Sequence, residues 1–168
     1  MGLDSELQKL EGPAGRLKEA DFELAYLSVL TRCGIKPLSR WEKPLDRGEP
    51  ALLSDLGLLT RQVRRTVKTG REVVETIFSV SSGYLDAYER RFAGTPVSKS
   101  AATVRFEGFL FGFPPCCVDS YIRHPYAKND LDRDQQRILF HWACKGCKIT
   151  PYLWPAYKAV HDWLSDSR

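Results

Sequence analysis

The chain has 168 residues, 43% of them hydrophobic, and 25 basic against 21 acidic side chains give a net charge of +4. That length supports one ordinary core, so a single domain is expected over 1–168, with 1–50 as an N-terminal helix and proline-rich connector and 51–168 as a hairpin and cysteine-site region. The composition excludes a disordered chain, no apolar run approaches the about 20 residues of a membrane helix, and the mild positive charge permits a phosphate or nucleic acid partner without requiring one.

The opening "MGLDSELQKLEG" lacks the apolar stretch of a signal peptide, so a cytoplasmic protein is expected. "MGLDSE" also matches the start of a myristoylation signal, with no polybasic segment beside it. From Leu17 to Cys33, leucines at 17, 24, 27 and 30 follow a helical repeat, and Gly34 closes the predicted helix. Cys33 then reads as a packing or helix-end residue. "IKPLSRWEKPLDRGEP" carries three prolines among its charges and reads as an irregular connector, with a short helical turn at "ALLSDLG".

Residues 58–82 are the expected strands, with one helix through Leu59, Val63 and Val67 as the alternative that also fits the spacing. Val63, Arg65 and Val67 alternate with polar neighbours, "KTGR" turns, and "VVETIFSV" is β-branched and apolar, so a hairpin is predicted. Residues 84–93 return to helix, and another starts from Ser98 or Ser100 as N-cap. "PCCVDSYIRH" is predicted to be a helix with both thiols in its first turn, because Pro115 suits a position whose N–H would be unpaired anyway. "DLDRDQQRILFHWA" is expected to be an amphipathic helix delivering "CKGC" at its end. Thr150 and Pro151 then cap and open a last helix, interrupted or bent near Pro155. The expected fold is α+β, mainly α-helical, with a small β-hairpin packed with about five helices around a cysteine site.

Five cysteines in a reducing compartment argue for metal or redox work over a disulfide framework. Four of them form two close pairs, Cys116 with Cys117 and Cys144 with Cys147. A thiol in the first turn of a helix faces the positive end of the peptide dipoles, which favours the thiolate that metals bind. The 26 residues between Cys117 and Cys144 are ample to bring the pairs together. Adjacent cysteines diverge, and a cubane cluster offers each its own iron, so a 4Fe-4S centre is expected, with a single zinc ion as the alternative. His141 is a candidate to replace one cysteine as a ligand or to bond to a cysteine sulfur. Asp119, Tyr121 and His124 are candidates to line a pocket. A thioredoxin-like dithiol fits poorly, because its C-x-x-C would open a helix rather than leave one.

The stretch "TRQVRRTVKTGR", residues 60–71, has five Arg or Lys and no acid, so on a hairpin it makes a positive ribbon for phosphates. Tyr84, Tyr88, Trp142, Tyr152 and Trp154 are the matching candidates for base stacking.

The words "GFPPCCVDSYI" and "HWACKGCKITPYLWPAYKAVHDWL" resemble the uncharacterised domain-of-unknown-function family 483, on Gly112, Phe113, Pro114, Cys116, Cys117, His141, Cys144 and Cys147. The likeness covers roughly residues 56–165 and is specific only in its cysteine motifs. It implies a shared cysteine site and no particular substrate. Two functions follow from these readings. One is a cytosolic metal or iron–sulfur protein performing sulfur transfer or redox chemistry on a small molecule or RNA. The other is a zinc-stapled, non-catalytic module that binds RNA or a protein partner.

Overall fold

The computed structural model describes residues 2–166. Among these, eight helices surround one antiparallel sheet of three strands, so the mainly helical α+β expectation holds with more helices than expected. The N-terminal body is α1 (Leu3–Ala20) and α2 (Phe22–Arg32). Leu7, Leu10, Ala14 and Leu17 form the buried stripe of α1, which runs through Pro13. The expected single helix over Leu17–Cys33 is two helices, because Asp21 leaves helical geometry (φ −155°, ψ 117°). Its carboxylate accepts the amides of Glu23 and Leu24 at 2.9 and 3.1 Å. An aspartate gains more by capping free amides than by sitting inside a helix, and that local preference divides the segment. Eight consecutive residues of α2, Leu24–Thr31, are buried, so α2 is the central rod of the larger core.

The connector holds β1 (Ser39–Trp41), which the proline-rich sequence did not announce. A three-residue strand is too short to show a period. After α3 (Glu49–Asp55) the predicted hairpin follows, β2 (Leu59–Thr66) and β3 (Glu72–Ser79). Leu59 pairs with Ser79 and Thr66 with Glu72, and β1 adds to the other edge of β3 through Ser39 opposite Phe78. α4 (Ser82–Phe92) covers the hairpin with Leu85, Tyr88 and Phe92.

The larger core joins α1, α2 and α3 to Tyr157, Val160 and Leu164 of the last helix, α8 (Thr150–Asp166). Residues from both sides of position 50 therefore share it. Each fully buried leucine here contributes about 1.5–3 kcal/mol. α8 continues through Pro155 without interruption. A smaller core of Leu38, Val63, Ile77, Leu110 and Phe111 lies between sheet, α4 and α5 (Ala101–Leu110). α5 is capped by Ser100, whose hydroxyl accepts the Thr103 amide at 3.2 Å. No helix among the described residues is long and apolar enough to cross a membrane.

Candidate metal centre

Two short helices and one extended segment build the cysteine site. Just past the end of α5, Gly112 takes a left-handed backbone (φ +72°) that brings it against Pro37 and turns the chain into Pro114 and Pro115. α6 (Pro115–Arg123) then starts with the two thiols in its first turn, as expected. Cys116 is exposed, whereas Cys117 is 1% exposed.

The second pair arrives differently from expectation. α7 is only six residues, Arg133–Ile138, and Leu139 is extended (φ −85°, ψ 148°), so His141 to Cys147 is not helical. Side chains replace the missing helical hydrogen bonds. The Gln136 amide donates to the His141 carbonyl at 2.8 Å and accepts from the Ala143 amide. Asn129 donates to Gln136 at 2.8 Å and to the Ala143 carbonyl at 3.1 Å, and Trp142 Nε1 donates to the Ala127 carbonyl at 2.7 Å. Cys144 and Cys147 then flank a tight turn in which the Cys147 amide donates to the Cys144 carbonyl. Gly146 takes the left-handed position of that turn (φ +67°), and its amide donates to Asp130 at 2.5 Å.

All four cysteine sulfurs lie within 4.8 Å of one another, and this group could hold a metal ion. Cys117 Sγ is 3.4 Å from Cys147 Sγ and 3.8 Å from Cys144 Sγ, and Cys116 Sγ is 3.7 Å from Cys147 Sγ. Polar hydrogens point at the sulfurs. The Cys144 amide donates to Cys117 Sγ, while the Thr150 amide and hydroxyl donate to Cys147 Sγ at 3.3 and 3.2 Å. Burial raises the Cys147 thiol, but bonds from Thr150, Ile149 and Cys117 outweigh it and bring it down to about 6. Burial dominates at Cys117 and Cys144, pushing the first up and the second up to about 11.

His141 stands one step behind the sulfurs. Its Nε2 lies 3.1 Å from Thr150 Oγ1. The Thr150 hydroxyl spends its hydrogen on Cys147, so Nε2–H is the donor to Thr150, and Nδ1 is an acceptor with no partner. Burial holds the ring well below its ordinary range, at about 4, so it is neutral at pH 7. Thr150 therefore links histidine to sulfur instead of capping the last helix, a role its position in the sequence did not reveal.

The other candidates separate. Tyr121 lines a cavity of about 860 Å³ beside Cys117 and His141, whereas Asp119 pairs with Arg105 at 2.9 Å and His124 is an exposed helix end. Cys33 ends α2, half-buried against the larger core. The positive ribbon of residues 60–71 is largely neutralised. Arg61 pairs with Asp86 and Glu89, Arg64 pairs with Glu72, and Arg65 is buried against Glu75 and Glu107. Of the stacking candidates, Tyr88 is buried with its hydroxyl on Glu75, and Trp142 lines the cavity. Tyr126, also on the cavity wall, had no signal beyond being an aromatic after a proline.

No family model, no curated protein and no solved structure matches the chain.

Proposed function

We propose that this protein is a zinc-stapled binding domain, in which Cys116, Cys117, Cys144 and Cys147 hold one tetrahedral ion that fixes the wall of the neighbouring cavity. The observation that carries this reading is the spacing of the sulfurs. A zinc ion with bonds of about 2.3 Å to four thiolates sets them about 3.8 Å apart, close to the separations found here. The divergence expected of adjacent cysteines is absorbed by the first turn of α6, since both sulfurs approach Cys147. A cubane gives each thiolate its own iron and spreads the sulfurs further, so the two pairs would have to move apart to hold one.

A site closed by four thiolates leaves no position for substrate, which favours a structural role over sulfur transfer or redox catalysis. The ion supplies a cross-link between segments distant in sequence. The chain supplies the rest: Thr150 and the Cys144 amide orient the sulfurs, and His141 holds Thr150 in place. The resemblance of the cysteine pattern to domain-of-unknown-function family 483 is compatible with one centre built from both pairs. Thiols that must stay reduced suit the cytoplasm.

Metal and acid-labile sulfide analysis with a visible spectrum, on protein purified without oxygen, tests this. One zinc per chain in a colourless sample is the expected result. Stoichiometric iron and sulfide with a visible charge-transfer band would overturn it in favour of the cluster.

A further inference from the structure

The cavity beside the metal centre has no assigned occupant, and its lining is specific enough to name a chemistry. Its floor and sides are apolar and aromatic, from Phe111, Phe113, Val118 and Leu139, and about 860 Å³ is ample for one small molecule. At its margin stand Lys99, Lys128, Arg133 and Arg137, none of which has an ion-pair partner among the described residues. The two carboxylates in the lining are committed elsewhere. Glu107 accepts from Arg40 at 2.7 Å and Arg65 at 3.3 Å, and Asp132 caps α7. Arg133 and Arg137 are four residues apart on one helix and both line the cavity, a like-charge spacing that weakens a helix left without an anion.

The aromatic side of the cavity carries the second observation. Tyr126 is 65% exposed and holds a left-handed backbone (φ +59°), the one non-glycine residue described that does so. A bulky side chain is disfavoured there, and such strain concentrates where a side chain must be presented. Its ring meets Tyr121 edge-on at 5.2 Å and Trp142 at 5.4 Å, with its hydroxyl 3.1 Å from that of Tyr121. Trp142 is itself fixed by its bond to Ala127, so the exposed Tyr126 ring is braced in the same cavity wall that carries the unpaired cations.

We infer that the cavity binds a mononucleotide-like ligand, its planar base stacked on Tyr126, whose ring Trp142 braces edge-on, and its phosphate on Arg133, Arg137 and the neighbouring lysines. This rests on the reading of the protein as a binding domain, and it names the ligand class. Stacking tolerates any base, and arginine suits a phosphate's oxygens with paired donors.

Isothermal titration of the zinc-loaded full chain with AMP, GMP, CMP and UMP, and separately with inorganic phosphate and adenosine, tests the assignment. At least one mononucleotide is expected to bind, and both fragments more weakly. The double variant R133Q/R137Q should lose about tenfold or more in affinity, and R133K/R137K, which keeps the charges without the paired donors, should lose less. Tyr126→Gly relaxes the backbone while removing the ring, so it should match the parent in melting temperature yet lose about tenfold in affinity. The inference is overturned if no mononucleotide binds at millimolar concentration, or if phosphate alone binds equally well. It is also overturned if these variants bind unchanged, or if a short single-stranded oligonucleotide binds far more tightly than its mononucleotide. Zinc content measured on the same samples keeps the two readings apart: one zinc per chain without nucleotide binding sinks this inference alone.

Discussion

Cys116 and Cys117 are neighbours that face different surroundings. One thiol is exposed, and the other is buried at 1% exposure between Cys144, Cys147 and Thr150. Removing Cys117 loses a ligand and leaves a hole, whereas removing Cys116 loses only the ligand. Cys117→Ala is therefore expected to lower the melting temperature of the zinc form more than Cys116→Ala, by calorimetry at equal zinc. Thr150→Val keeps the volume but deletes the hydroxyl that bonds Cys147, and should weaken zinc about 10–100-fold in competition with a chromophoric chelator. An unchanged affinity would remove Thr150 from the centre. The four cysteines were readable because two close pairs in a chain with few other thiols imply one another. Thr150 was readable only as a helix cap, since its bond to His141 depends on a fold-back across nine residues that spacing does not encode.

At the scale of elements, the contact of α5 with α6 aims the cysteines. A methyl group at Gly108 would sit 2.5 Å from Val118 Cγ2, so these helices approach as closely as a glycine allows. Gly108→Ala should cost about 1–3 kcal/mol in urea unfolding, as overpacked sites do. Val118→Ala in the same chain should restore part of that loss, and a double variant no better than Gly108→Ala would place the strain elsewhere. The hairpin, α4 and α6 were legible, because alternation, a helical repeat and an N1 proline are local signals. Asp21 broke a repeat that the leucines alone carried across it. The expected helix through His141 stopped at Ile138 because Asn129 and Gln136 hold the following backbone extended, which is a tertiary preference over a local one.

At the scale of the molecule, Lys36 joins the two cores. It is 2% exposed, donates to the Phe111 carbonyl at 2.9 Å, and lies 4.6 and 5.4 Å from the rings of Phe113 and Phe140. No carboxylate among the described residues pairs with it, and the neutral His141 is its titratable neighbour. Burial lowers its amine to about 7 from 10.5. Between those values the folded chain binds fewer protons than the unfolded one, so this group makes stability rise with pH. The slope reaches up to about 1.4 kcal/mol per pH unit. Below about pH 7 both states are protonated and the full penalty of burying the charge remains. Urea unfolding from about pH 6 to pH 9 should show that rise, and Lys36→Met should flatten it and be the more stable protein at the acidic end. An unaltered slope would mean that Lys36 keeps its proton in the fold.

The segment between Cys117 and Cys144 acquires a different character once both its ends are tied to one ion. It becomes a closed ring of chain, and only short helices and a few side-chain bonds shape its interior. Ring closure depends weakly on length, each doubling costing about 0.6 kcal/mol, so a residue added or lost near Pro125, ahead of the Ala127, Asn129 and Asp130 bonds that brace the second cysteine pair, would cost the closure little. Such changes would reshape the aromatic and cationic wall directly. Descendants of this fold could therefore drift in what they recognise while inheriting the same scaffold, with the four sulfurs acting as the fixed clasp of an interchangeable face.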